Sequence, residues 1–458
     1  MNFENVQEKV NLERRIRKHI HGKKQIFEVE SPPGFSGVCE RFAKAIVHRR
    51  WNLEDDEIKV SSEHGKVRIE NAPFDLAHTL LLEGLPFTDV KIQIFRGRCS
   101  TIEKLHSVLE KIPWDIWVPA QRRLNWNIRV NSLKSRLYNE SQLKIEMMEF
   151  LHRRFSHPTF QDTAEIACDV WIERESLEIF LSLGGRNYWQ RGQKQTFQHA
   201  APLREDIASC LVLRLRELSL EWHGTDRPTK VFNPFCGTGT LLHEAAILIA
   251  DCGQLTSNCN NWSYPNLPFF KAASFEHERK KLAERLSLKH SSSAKVTFQA
   301  EDLEKDLCEA TEQWFHAMNK SGYDCGEAVA HCKNSIDNDA TWFCKTSEND
   351  MFWILANPPF GLRLSNAHQG GTEQLYARFA DRIFKSVHRR GHENSPIASG
   401  VVLCPTEAIW QTVRTALKNW PQCCEHFTLG GLDMRAFYFS SPSVDGKRSF
   451  QVRKPKSL

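Results

Sequence analysis

Apolar residues in this chain follow two different rhythms, and the change between them falls at Gly184-Gly185-Arg186. Upstream, Ile26–Val29, Val67–Ile69, Val90–Phe95 and Trp126–Val130 alternate as half-buried strands do. Between them Val38–Arg50, Thr101–Lys111 and Glu140–Phe155 carry apolar residues at helical spacing, the last with Leu143, Met147, Phe150 and Leu151 inward. Trp171–Leu183 returns to a strand pattern. Downstream, helix and strand alternate in the doubly wound manner. The helix Pro202–Glu217 precedes a short strand, Val231-Phe232, and the apolar helix Thr240–Ala250. Lys295–Ala300, Met351–Leu355 and Gly400–Cys404 follow as strands two, four and five. A third strand belongs somewhere in the long polar stretch Cys308–Asp350. Thr406 is placed to cap a helix running to Asn419, and Gly430-Gly431 splits His426–Leu429 from Arg435–Phe439 as a closing hairpin.

These rhythms predict four regions: a basic extension over 1–24, an α+β region over 25–185, an α/β Rossmann-like domain over 186–445, and a basic tail over 446–458. The extension reads as a solvated helix with Val6, Val10, Ile16 and Ile20 on one face, and Glu4, Glu8 and Glu13 argue against a transit peptide. The terminal antiparallel hairpin separates the second domain from a plain dinucleotide-binding fold. So does the lack of Gly-x-Gly-x-x-Gly after its first strand.

Two loops carry the candidate chemistry, each leaving the end of a predicted strand in one sheet. Asn233-Pro234-Phe235-Cys236-Gly237-Thr238-Gly239-Thr240 follows Val231-Phe232. Gly237 and Gly239 let backbone approach a ligand, and the following helix aims its positive end at the loop, which suits a carboxylate. Without Gly-Lys-Ser/Thr, this is no phosphate-gripping P-loop. S-adenosylmethionine suits it. The second loop, Asn357-Pro358-Pro359-Phe360, directly follows the strand Met351–Leu355 and Ala356. An amine on an aromatic ring is a poor nucleophile because its lone pair is delocalised. Acceptors on both its hydrogens, the Asn357 side chain and the Pro358 carbonyl, draw the nitrogen out of conjugation. Pro359 stiffens the turn and Phe360 offers a stacking ring. The pair of loops implies amino methylation of a nucleobase, a reaction in which alignment is the main task. Cys236 is a small packing residue in this reading, because no covalent enzyme intermediate is needed.

Charge sharpens the picture more than composition does. The net charge is only +5, yet Lys91–Phe160 holds thirteen Lys/Arg against six Asp/Glu, so the rest of the chain is slightly acidic. Arg122, Arg123, Arg129, Lys134, Arg136, Arg153 and Arg154 lie there among Trp114, Trp117, Trp126 and Tyr138, a mixture suited to RNA. Most of the tryptophans are expected in the core. The fourteen cysteines show no Cys-x-x-Cys and no paired Cys/His spacing, so thiols in a reducing, cytoplasmic setting are expected rather than a metal site. No apolar run approaches the roughly 20 residues of a membrane helix.

Five stretches extend this into a resemblance: Lys134-Ser135-Arg136-Leu137-Tyr138, Arg191-Gly192, Ala201-Pro202-Leu203-Arg204-Glu205, and the two loops. From about Gln25 to Ser440 the chain resembles the THUMP-containing RNA guanine-N2 methyltransferases. The N-terminal half of the bacterial large-subunit rRNA methyltransferase RlmL is nearest in pattern. The resemblance implies a THUMP-type RNA-binding region followed by a class I methyltransferase domain. It implies methylation of a guanine N2 amine in structured RNA, large-subunit rRNA before tRNA. It also implies a cofactor lined by Pro202, Leu203, the 233–240 loop, Glu301 and Asp302 near the ribose, and Asp339 near the adenine. RNA contacts are expected from Arg129, Lys134, Arg136, Tyr138 and Arg191. One departure stands out: Asn233 replaces the family's usual Asp. DNA adenine-N6 methylation shares the Asn-Pro-Pro-aromatic logic, and a non-catalytic RNA-binding factor would tolerate Asn233.

Overall fold

Alternation in the N-terminal part builds one eight-stranded sheet. Its strands are β1 (Gln25–Glu30), β2 (Lys59–Glu63), β3 (Lys66–Ala72), β4 (Asp89–Arg98), β5 (Asn125–Leu133), β6 (Thr159–Phe160), β7 (Ile166–Glu173) and β8 (Ser176–Ser182). They lie in the order β2-β3-β1-β4-β8-β7-β5-β6. The computed structural model describes residues 3–51, 57–63, 65–119, 125–155, 158–160, 166–185, 187–191, 203–255, 257, 259–290, 296–323, 325–336, 350–360, 369–387 and 397–442. The tail over 446–458 therefore lies outside the described residues.

The two faces of this sheet differ completely. Phe27, Val29, Val67, Ile69, Val90, Ile92, Ile128, Val170, Ile179 and Leu181 are buried on one face. Helices Ser36–Trp51 and Glu140–Arg154 pack on the sheet, and Trp114, Trp117 and Trp126 are buried in this core, as most of the tryptophans were expected to be. The alternate positions of the same strands form a layer of ion pairs. Lys91, only 1% exposed, lies 2.6 Å from Glu30 Oε2 and 2.5 Å from Asp169 Oδ2, and Arg68 donates to Glu178 at 3.0 Å. Opposite charges hold each carboxylate of Glu30 and Asp169 below its ordinary pKa against the upward push of burial.

Several expectations needed correction. The strand Trp171–Leu183 is the greater part of a hairpin, β7 and β8. Its turn, Arg174-Glu175, places both residues at positive φ (48° and 64°) without the Gly or Asn that marks such turns in sequence. In the N-terminal extension, Phe3–Ile16 is helical and passes into a π-helical turn, Arg17–His21. Ile16 and Ile20 are buried there, but Val10 is exposed and so leaves the predicted face. The helix Leu76–Glu83 was not predicted, because its nearly uniform apolar run has no helical stripe.

The second sheet has seven strands: β9 (Lys230–Asn233), β10 (Thr297–Asp302), β11 (Glu327–Cys332), β12 (Met351–Ala356), β13 (Ile397–Cys404), β14 (Gln422–Leu429) and β15 (Leu432–Ser440). Their order is β11-β10-β9-β12-β13-β15-β14. All neighbours are parallel except around β15, which runs antiparallel to both β13 and β14. This is the expected Rossmann-like arrangement with its terminal antiparallel hairpin, and Gly430-Gly431 makes the turn at φ 58° and 83°. Strand two begins and ends two residues later than predicted, which brings Glu301 and Asp302 into the strand. Strand three is β11, an edge strand that buries none of its residues fully and so shows no clear apolar alternation. The helices Gln369–Val387 and Glu407–Ala416 bury Tyr376, Phe379, Ile383, Ile409 and Val413 with Phe232, Phe352, Ile354 and Ala356 of the strands. Thr406 caps the second of these, accepting from Ile409 N at 3.3 Å.

Contacts divide the chain into two units, and the division is not one cut near Gly185. Met1–Gln193 is joined by Arg204–Ile207 and Cys252–Leu288, although the last segment lies between β9 and β10 in sequence. Within that unit Tyr264 and Phe269 pack against Phe74, Phe275 against His78, and Trp262 against Tyr188. The other unit is Lys194–Leu203, Ala208–Asp251 and Lys289–Leu458. Among the described residues no helix is long and apolar enough to cross a membrane.

Candidate active site

Strand register brings the two candidate loops together. β9 lies between β10 and β12, with Phe232 opposite Ile354 in the parallel pair. Asn233 is one residue beyond that point and Asn357 three, so both loops leave the carboxyl edge of adjacent strands. At ordinary strand spacing their first residues lie within about 10 Å.

The first loop is held by its own polar groups. Asn233 is 1% exposed, and its Oδ1 accepts from Phe235 N at 3.2 Å. A neutral amide thus makes the loop bond that an aspartate would make, without burying a charge. Pro234 O accepts from Ser335 Oγ at 2.8 Å, and Phe235 packs edge-on against Phe379. Gly237 N donates to Asp302 Oδ2 at 2.8 Å, and Cys236 N to the Glu301 carbonyl at 2.9 Å, so the end of β10 ties the loop down. Gly237 and Gly239 both have positive φ, 51° and 77°. They differ in surroundings: a Cβ on Gly237 would meet nothing within 4 Å, whereas one on Gly239 would lie 2.6 Å from the His243 ring. Open space therefore faces Gly237, in front of the helix Thr240–Ala250, while Thr238 Oγ1 and Thr240 Oγ1 lie 3.3 Å apart. The Cys236 thiol, driven up by burial, contacts the Gly237 carbonyl and acts as packing.

The two acids of β10 play different parts. Asp302 is partly exposed and spends its oxygens on Gly237 N and Glu304 N (3.2 Å). Glu301 is fully buried, with Oε1 shared between Lys333 Nζ at 2.9 Å and Gln299 Nε2 at 2.7 Å. Through Oε1 it braces the edge of the sheet, while its Oε2 is buried with no hydrogen-bond partner among the described residues. Leu203 is buried, and Pro202 and Asp339 lie outside the described residues.

In the second loop Pro358 is buried, Pro359 exposed, and Asn357 and Phe360 half-buried. Asn357 Oδ1 is buried and has no hydrogen-bond partner among the described residues. A buried acceptor left unpaired costs about 1–3 kcal/mol, a penalty removed when a ligand N–H reaches it.

The expected RNA-contacting residues divide sharply. Arg191 is 4% exposed; its backbone N–H donates to Glu205 Oε2 at 2.5 Å and its guanidinium to the Leu85 carbonyl. It is structural and does not reach RNA. Arg129 is bound to Asp169 at 2.8 Å and Glu30 at 3.2 Å, so its charge is neutralised within the sheet. Lys134, Arg136 and Tyr138 are exposed on the turn after β5. Among the described residues no three His, Cys, Asp or Glu side chains gather as metal ligands.

With this geometry in view, residues 191–403 match the family model described as UPF0020, RMKL-like, methyltransferase domain. This stretch is similar to that methyltransferase domain. The ribosomal RNA large subunit methyltransferase K/L of Shewanella sp. (strain W3-18-1) is 24% identical over 322 residues, 69% of this chain and 42% of the relative. The chain thus spans about two fifths of the length of that curated relative. Among solved structures, SMU.472 in complex with SAH covers 91% of this chain and 98% of its own at 16% identity, with a TM-score of 0.65. A Listeria monocytogenes protein, designated by prediction an N6-adenine-specific DNA methylase, covers 91% and 96% at 18% identity, also with a TM-score of 0.65. These likenesses support the fold of the methyltransferase domain.

Proposed function

We propose that this protein methylates the exocyclic N2 amine of a guanine in structured RNA, with large-subunit rRNA as its substrate class. The observation that carries the reading is Asn357 Oδ1, a buried acceptor with no donor among the described residues, beside the glycine loop. The likeness to the K/L enzymes and the Lys-Ser-Arg-Leu-Tyr turn favour RNA over DNA.

The cofactor is S-adenosylmethionine, which supplies an electrophilic methyl group. The open space at Gly237 and the N-terminus of the helix that follows fit its carboxylate end. Asp302 lies at the edge of that space and retains free lone pairs for ribose hydroxyls, while Asp339 takes the adenine amine and Pro202-Leu203 lie over the cofactor. Asn357 Oδ1 and the Pro358 carbonyl accept the two hydrogens of the guanine amine and turn its lone pair out of the ring. Phe360 stacks on the base, Pro359 fixes the turn, and the excess proton leaves to water.

The test is transfer of labelled methyl from S-adenosylmethionine to unmodified rRNA, tRNA and duplex DNA, followed by identification of the nucleoside by mass spectrometry. N2-methylguanosine in rRNA, absent with Asn357→Ala, is expected. The same product in tRNA alone moves the substrate class, and methyladenine in DNA overturns the RNA reading. No transfer despite RNA binding makes the chain a non-catalytic RNA-binding factor.

A further inference from the structure

One end of the first sheet gathers cations that have no ion partner among the described residues. Arg98 is the last residue of β4 and pairs with Ser176 of β8. Arg174 sits in the β7–β8 turn, and Lys134 follows Leu133, which pairs with Glu173 at the end of β7. Backbone bonds lock these turns together: Arg174 N donates to the Leu133 carbonyl at 3.2 Å and Cys99 N to the Glu175 carbonyl at 2.7 Å. Arg98, Lys134, Arg136 and Arg174 are all exposed. The nearby acids bond to backbone amides: Glu175 accepts from Arg136 N at 3.4 Å, and the exposed Glu140 accepts from Ser132 N at 2.8 Å.

On the polar face of the sheet, by contrast, the cations are paired. Arg68 and Arg96 share Glu178, while Arg129 and Lys91 share Glu30 and Asp169. The groove on the polar face of the sheet is lined by Glu28, Glu63, Glu173 and Glu178 against Lys66, Arg68 and Arg96, with Arg174 at its rim, so its interior offers an anion no net attraction. Among the described residues of this unit, only the sheet end combines exposed cations that lack an ion partner with an exposed aromatic ring. Tyr138 is 79% exposed, beside Leu133 at 44%. A free ring at a basic edge suits an unstacked base on a phosphate chain.

We propose that Arg98, Lys134, Arg136 and Arg174 form an RNA-docking edge, with the four cations on the phosphate backbone and Tyr138 stacked on a single-stranded base. This rests on the reading of the chain as an RNA methyltransferase. It replaces Arg129 and Arg191 with Arg98 and Arg174, which are far apart in sequence from each other and from the Lys134–Tyr138 turn.

The experiment uses the full chain and a short labelled oligoribonucleotide, single-stranded or annealed, with affinity measured by anisotropy across a series of KCl concentrations. Each lost phosphate contact lowers the slope of log K against log salt by about 0.7 for a single strand. The variant R98Q/K134Q/R136Q/R174Q should therefore lose roughly two to three units of slope. A control, K23Q/K24Q/K59Q, should keep the parent slope. Y138A should weaken single-stranded RNA at least about fivefold, leave the slope unchanged and spare the duplex. Thermal melting checks the fold; should the quadruple variant unfold, R98Q and R174Q alone should each lose about 0.7 units. Equal slope loss in the control, or none in the edge variants, overturns the docking edge while leaving the RNA reading intact. A parent that binds no RNA overturns both.

Discussion

At the scale of single residues, the site turns on polar atoms whose partners are set by burial. Asn357 presents a buried acceptor that is unpaired among the described residues, so its replacement should affect transfer more than cofactor binding. Asn357→Ala should lower kcat by about 10²–10³, the usual cost of removing one transition-state hydrogen bond, while the dissociation constant for S-adenosylmethionine moves less than about twofold. Single-turnover kinetics with a parallel calorimetric titration decides this, and equal losses in both would rule out the assigned role. Asp89 is the opposite case, a carboxyl whose burial raises it to about 7 from an ordinary 3.8. Between those values the native state holds a proton that the unfolded chain has released. Its contribution to stability is therefore complete below pH 3.8 and is lost as pH rises through 7. Asp89→Asn stays neutral, so its melting temperature should gain on the parent steadily from pH 5 to pH 8, as a calorimetric series would show.

At the scale of elements, the glycine loop distinguishes two residues that look equivalent in sequence. Gly239 has positive φ and its missing Cβ makes room for the His243 ring, whereas Gly237 has positive φ and faces open space. Gly239→Ala should destabilise the fold by more than the roughly 1–2 kcal/mol of backbone strain alone. Gly237→Ala should cost only about that strain in urea unfolding, yet weaken cofactor binding by filling the space in front of the helix. Strand two shows why boundaries matter. The sequence pattern stopped it at Ala300, but pairing to β11 carries it to Asp302, which fixes the carboxylate beside Gly237 N. That extension comes from a hydrogen-bonded neighbour and leaves no trace in apolar spacing.

At the scale of the whole molecule, the chain returns to its first unit after leaving it. Cys252–Leu288 supplies Trp262, Tyr264, Phe269 and Phe275 to pack on Tyr188, Phe74 and His78, and Glu278 and Arg285 to pair with Arg50 and Glu83. A fragment ending at residue 193 would uncover that aromatic surface. It should be poorly soluble and lose cooperative melting, whereas the full chain should melt cooperatively by circular dichroism. The sequence boundary at Gly184-Gly185-Arg186 is thus a change of rhythm without being a cut between independent parts.

The sequence alone determined the strands with strong alternation, the two loops at the carboxyl edge of one sheet, and the terminal hairpin. Each depends on local periodicity, on Gly and Pro, or on adjacent residues, and these are legible without knowing the neighbours. Tertiary structure decided what depends on partners remote in the chain. It neutralised Arg129 and Arg191 with Asp169 and Glu205, paired the buried Glu301 with Lys333, and left Asn357 Oδ1 without a donor among the described residues. It also set Arg98 and Arg174 beside Lys134 and Arg136. Whether a charge is free or already paired is a property of the contacts it makes, and long-range strand pairing, not residue type, supplies those contacts.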